Sequence, residues 1–144
     1  PFVMPAVHID GHVYYDGGLG QGAGIPLQLA LDSGCSRIFA ILTRPKGFRK
    51  PAPDIGRSAR MIANSYHKYP YVREALLTRN ERYNAELEKL EQLAAEGKAY
   101  IVYADKMAVE NNTTDIKKLR SSYFDGYNQA QKEFPRWLEW LGTE

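Results

Sequence analysis

The chain has 144 residues, 44% of them apolar and 25% charged, with a formal net charge of +2. This is the size and balance of one globular domain or a large part of one. The charge is too small to support nucleic-acid binding, and no apolar run approaches the roughly 20 residues of a membrane-spanning helix. The single cysteine, Cys35, excludes an internal disulfide framework and points to a reducing, cytoplasmic compartment.

The opening Pro1-Phe2-Val3-Met4-Pro5 lacks an initiating methionine and a signal-peptide pattern. It reads as the middle of a longer protein, so the chain is expected to be a fragment. Val7, Ile9, Val13 and Tyr15 keep alternate positions apolar around Asp10-Gly11, a strong hairpin signal. A short hairpin is expected, with Asp16 at the exit of its second strand. Glycines at 17, 18, 20, 22 and 24 make a loop that can approach a ligand or another backbone closely.

Pro26 suits the first turn of a short helix through Leu27, Leu29, Ala30 and Leu31, closed by Gly34. Arg37–Leu42 is a nearly unbroken apolar run, expected as a strand covered on both faces. Strand, loop, helix and strand then form a βαβ unit. Cys35 reads as a small residue packed between that helix and strand.

Residues 44–54 hold three prolines and a glycine and read as a loop. A helix is expected from Asp54 or Ile55 to about Tyr66. A longer one covers 72–95, with Leu76, Tyr83, Leu87, Leu90 and Ala94 on one face and Gly97 closing it. Residues 99–103 are the last strand. Thr113 or Thr114 would cap a final helix whose buried stripe is Ile116, Leu119, Tyr123, Tyr127, Ala130 and Phe134. Pro135 is expected to kink or restart it before Trp137, Leu138, Trp140 and Leu141.

Asp16 leads the candidates for chemistry. A carboxylate at the tip of a strand, followed by glycines and a helix, is where ligands and reactions collect in α/β folds. It can also be an ordinary turn aspartate, because Asp-Gly is a common turn pair. A catalytic aspartate needs a nucleophile to serve, and no Gly-x-Ser-x-Gly occurs in the chain. Ser33, Ser36, Ser58, Ser65, Ser121 and Ser122 all lack that frame.

His8 and His12 flank the hairpin turn and could share one of its faces. No Cys or carboxylate pattern completes a metal site around them, and with His67 they read as structural or surface residues. The glycine run also allows a dinucleotide loop, with Arg44 after the next strand positioned for a phosphate. Against that, the glycines alternate and Pro26 removes an amide from the helix start.

Residues 44–60 carry Arg44, Lys46, Arg49, Lys50, Arg57 and Arg60 against the single acid Asp54. They can meet anionic lipid headgroups or simply form a solvated polar loop. Trp137 and Trp140 could touch a membrane interface or pack a terminal helix on the sheet, and packing is the commoner use.

The frame Gly11-x-x-Tyr14-x-Asp16-Gly17-Gly18, the loop, Ile25-Pro26, Ala30, Gly34 and Thr43-Arg44-Pro45 resembles the patatin-like phospholipases, in particular their bacterial branch. Arg82-Tyr83-Asn84 and the segment from Tyr123 to Ala130 are similar too. The resemblance spans essentially all 144 residues and maps them onto the family's C-terminal half.

It implies a partial three-layer α/β/α sandwich, in which a small parallel or mixed sheet carries flanking helices. It also implies a serine–aspartate dyad for acyl ester hydrolysis of lipids. Asp16 is then the base, and the serine and oxyanion loop lie upstream of residue 1. A hydroxyl becomes a useful nucleophile only when a positioned base takes its proton. The chain alone is therefore expected to be inactive, without metal or organic cofactor. Its expected partners are a lipid or other ester substrate, a peripheral membrane contact, and copies of itself through surface bared by truncation. The alternative is a non-catalytic or dinucleotide-binding α/β module.

Overall fold

The computed structural model describes residues 6–52, 56–110 and 112–142. It is a mixed α/β structure with β1 (Val7–Ile9), β2 (His12–Tyr14), α1 (Leu27–Asp32), β3 (Ile38–Leu42), α2 (Arg57–Ser65), α3 (Pro70–Leu77), α4 (Arg79–Ala95), β4 (Ala99–Tyr103) and α5 (Ile116–Leu141). The chain divides into two compact units. One takes the described residues of Pro1–Ser36 and Arg49–Leu93, the other Arg37–Phe48 with those of Ala94–Glu144.

In the first unit β1 and β2 form an antiparallel hairpin, with Val7 opposite Tyr14 and Ile9 opposite His12. Asp10 and Gly11 both take positive φ, 49° and 78°. This is the turn whose twist matches that of the strands, and it explains why Asp-Gly stands there. α1 ends as expected near Gly34, at φ 83°. The Gly34 amide donates to Leu31 O and the Cys35 amide to Ala30 O, which satisfies the last carbonyls of the helix.

The helix expected over 72–95 is two helices. Thr78 falls between them, and its hydroxyl donates to Glu74 O at 2.9 Å. That back-bond competes with the helical ladder and bends the chain there. The core of the unit is Ala23, Ile25 and Leu27 with Tyr83, Leu87 and Leu90 of α4. Each large apolar side chain so buried contributes about 1.5–3 kcal/mol relative to exposure.

In the second unit β3 and β4 pair in parallel from Ile38 opposite Ala99 to Leu42 opposite Tyr103. β2 belongs to a different sheet, so the expected βαβ unit does not form. Nor is β3 covered on both faces: Ile41 is 66% exposed. The apolar run marked a strand, but a pair of strands leaves each with an open side.

The C-terminal half of α5 packs on the sheet through aromatic rings. Phe39 stacks on Tyr100 with centroids 5.5 Å apart, and Trp137 meets Phe39 edge-on at 5.8 Å. Trp140 lies 5.7 Å from Tyr100. The Arg37 guanidinium lies 4.1 Å over the Trp140 ring and donates to the Trp140 carbonyl. Such ring pairs contribute about 0.5–1.5 kcal/mol each beyond the area they bury.

Asp115, not Thr113 or Thr114, caps α5. Its carboxylate accepts from the Lys117 and Lys118 amides at 2.8 and 3.3 Å. Thr113 instead closes a turn with Glu110, accepting from its amide at 2.8 Å. α5 continues through Pro135 without a break. Its expected buried stripe is exposed: Ile116, Leu119, Tyr123, Tyr127 and Phe134 all face out. The ring cluster is built from the neighbouring flank of the helix, which therefore takes the sheet. Cys35 is exposed and not packed between α1 and β3. The expected helix start at Asp54 or Ile55 and the segment Pro1–Pro5 lie outside the described residues.

Candidate active site

Asp16 follows β2 by two residues and starts a short 3-10 helix, Gly17–Leu19. Its Oδ1 accepts from the Gly18 amide at 2.6 Å. The bond holds the carboxyl group against the loop it opens. The residue is exposed and lines a cavity of about 580 Å³ with Gly17, Gly18, Gly20, Gly22, Ile25 and Leu29. Asp16 therefore stands at the tip of a hairpin strand and on the wall of a cavity.

The glycine loop is held by its own turns and by two arginines of α4. Leu19, Gly20, Ala23 and Ile25 donate to Asp16 O, Gly17 O, Gly20 O and Gly22 O at 2.9–3.0 Å. Arg79 Nε donates to Gly18 O at 3.2 Å. Arg82 donates to Leu19 O and Gln21 O, both at 3.3 Å, and also to Gly20 O. Its Nη2 donates to Ala75 O at 2.6 Å and its Nε to Thr78 Oγ1 at 3.1 Å. A planar guanidinium with several donors suits a bend that turns carbonyls inward.

Gly22 is required for this close approach, and a side chain at Gly18 would displace two side-chain ends. A Cβ on Gly22 would stand 1.8 Å from Ile25 O. A Cβ on Gly18 would stand 2.7 Å from Arg79 Nη2 and 2.8 Å from Asp16 Oδ1. Arg79 and Asp16 thus converge on the same point, with Gly18 between them.

α4 also ties down the segment around Lys50 and carries a buried acid behind the loop. Asn84 exchanges two hydrogen bonds with the Lys50 backbone, each 2.9 Å. The Lys50 ammonium lies 3.9 Å over the Tyr83 ring. Glu86 is buried, and its Cγ would lie 3.6 Å from a Cβ on Gly22. Its Oε1 accepts from Lys89 at 2.9 Å, while no hydrogen-bond partner reaches Oε2 among the described residues. Buried carboxylates are rare without partners on both oxygens.

Arg79, Arg82 and Glu86 did not emerge from the sequence as site residues. Their spacings of three and four put them on adjoining flanks of one helix. Nothing in the sequence shows that a loop some 60 residues away presents its carbonyls to them.

The structure separates the other candidates. Strand register puts His12 with Ile9 and His8 with Val13, so the two histidines lie on opposite faces of the hairpin. Among the described residues no three His, Cys, Asp or Glu gather as a metal site. Arg44 lies 5.0 Å from the Phe48 ring. Of the basic segment, Arg49 pairs with Glu91 and Lys50 with the Tyr83 ring, while Lys46, Arg57 and Arg60 are exposed.

The second unit has its own cavity, of about 610 Å³, at the C-terminal ends of β3 and β4. Ile41, Val102, Met107 and Trp137 line it with polar residues of α5. Gln129 closes one side by donating to Tyr103 O at 2.7 Å and accepting from the Asp105 amide at 3.0 Å. No helix among the described residues is long and apolar enough to cross a membrane.

A tight loop held by α4 in one unit, and a strand pair under a long helix in the other, make this a mixed α/β protein. The family model for a domain of unknown function, DUF6363, matches residues 69–142, and the chain belongs to that family. The match takes in α3, α4, β4 and α5, while Asp16 and the glycine loop lie upstream of it. No curated protein and no solved structure matches the chain.

Proposed function

We propose that this chain is the C-terminal portion of a patatin-like acyl ester hydrolase, with Asp16 as general base to a serine carried on a preceding segment. In this reading the two units contribute part of a three-layer α/β/α sandwich, and the substrate is a lipid or a similar ester. The supporting observation is the seating of Asp16. Its carboxyl group is fixed by the Gly18 amide at 2.6 Å, and the residue borders a cavity of about 580 Å³. A base must be held in place before it can accept a proton from a hydroxyl, so geometry is the first requirement.

The balance of the step is simple. The serine hydroxyl adds to the ester carbonyl while its proton passes to an Asp16 carboxylate oxygen. The proton then leaves with the alcohol, and water repeats the sequence on the acyl-enzyme. Arg79 and Arg82 hold the loop and touch no reacting atom.

The test is hydrolysis of a p-nitrophenyl ester and of a phospholipid by the full-length gene product, compared with its Asp16→Asn variant. Loss of a positioned base costs about 10²–10⁴-fold in rate. That loss is expected with an unchanged melting temperature. Undiminished hydrolysis by Asp16→Asn, or serine-inhibitor-sensitive hydrolysis by the isolated 144-residue chain, would overturn the proposal.

A further inference from the structure

The outer face of α5 is apolar, rigidly presented and bordered by cations. Ile116, Leu119, Tyr123, Tyr127 and Phe134 recur at spacings of three, four, four and seven, which stacks them along one side of the helix. Ile116 is 69% exposed, Tyr123 66% and Phe134 52%, with Phe124 beside them. The rings order one another: Tyr123 stacks on Tyr127 at 6.3 Å and meets Phe124 edge-on at 5.4 Å. The helix is not free to turn this face inward. Trp137 and Trp140 are fixed on Phe39 and Tyr100, and Gln129 is tied to the end of β4.

Charge selects the occupant. From Ile116 to Phe124 the helix carries Lys117, Lys118 and Arg120 and no acid. Arg120 is one turn from Ile116, Tyr123 and Phe124, at the edge of the stripe. Arg120, at the margin of the stripe, makes no ion pair with another described residue, so its charge is available to a phosphate. Aliphatic and aromatic side chains with Lys and Arg beside them suit a helix lying in a bilayer interface. There the apolar face enters the acyl boundary and the cations meet phosphate headgroups. Long basic side chains reach the headgroups while their stems stay on the apolar surface.

We propose that the outer face of α5 docks on an anionic lipid surface, its N-terminal half leading. The contact uses a different unit from Asp16 and does not depend on the hydrolase reading.

The test is flotation of the full-length gene product with vesicles of phosphatidylcholine alone or mixed with phosphatidylglycerol, at low and high salt, with free inorganic phosphate as competitor. Binding is expected only to the anionic vesicles, weakened by salt and not displaced by phosphate. The double variant Lys117→Glu, Arg120→Glu removes two headgroup contacts and should lower the partition constant about thirtyfold or more. Tyr123→Ser should weaken binding at both salts. All three residues are exposed, and circular dichroism checks that the variants stay folded. Asp16→Asn should bind as the parent does, which keeps this result apart from hydrolysis. Equal binding to neutral and anionic vesicles, or none to either, overturns the proposal. So does a dimer in light scattering that Tyr123→Ser dissolves, which would make a second copy the occupant.

Discussion

Gly17 and Gly22 lie in one loop and answer differently to a methyl group. A Cβ on Gly17 meets nothing within 4 Å, whereas one on Gly22 would enter the Ile25 carbonyl at 1.8 Å. Gly22→Ala should therefore destabilise the protein by about 2–3 kcal/mol, as overpacking of a tight site does. Gly17→Ala should stay within about 0.5 kcal/mol, and urea denaturation of the two variants side by side checks both. The sequence marked the whole glycine run as a place of close approach, but not which glycines are sterically required. That depends on Ile25 folding back over the loop, and on Arg79 arriving from α4. The place of Asp16 just past β2 was legible for a local reason: the Asp-Gly-Gly pattern and the preceding strand are contiguous in the chain. Arg79 and Arg82 were not, because their partners are carbonyls, which every residue has.

At the scale of elements, the glycine turns came out as expected, while the Thr113 or Thr114 cap, the break at Pro135 and the single helix over 72–95 did not. Asp10-Gly11 turned the hairpin and Gly34 ended α1, because each is a choice between left-handed and ordinary backbone made within four residues. The 99–103 strand appeared with those bounds. The stripe of α5 was read correctly as a periodic apolar face and wrongly as a buried one, since periodicity names a face without naming its neighbour. Gly126 sits on this helix with open space where its Cβ would be. Gly126→Ala should stabilise the protein by about 0.5–1 kcal/mol, the helix-propensity difference, read as a raised denaturation midpoint. Arg82→Ala should act oppositely. It leaves loop carbonyls without their charged donor and should cost about 1.5–3 kcal/mol. Its signature is faster amide exchange across residues 17–25, with α5 amides as the internal reference.

For the whole molecule, burial is uneven. Leu90 is 1% exposed and anchors α4, so Leu90→Ala should cost about 2–5 kcal/mol in a denaturant titration. Elsewhere large apolar side chains remain in contact with water, among them Val7, Ile9 and Val13 on the hairpin, Ile41 on β3 and the α5 stripe. A chain of this size normally hides more of its apolar surface. The isolated chain should therefore enhance the fluorescence of an apolar dye such as ANS under native conditions. A chain that leaves ANS fluorescence unchanged would contradict this exposure.

The sequence by itself determined the local choices: the type and bounds of most elements, the turns at glycine, and the carboxylate that ends the hairpin strand. These are set by backbone sterics and by hydrogen bonds spanning a few residues. Only the tertiary structure decided which strands pair, which flank of α5 meets the sheet, and which arginines hold the glycine loop. Those outcomes depend on surfaces brought together from distant parts of the chain, and periodicity carries no record of the partner.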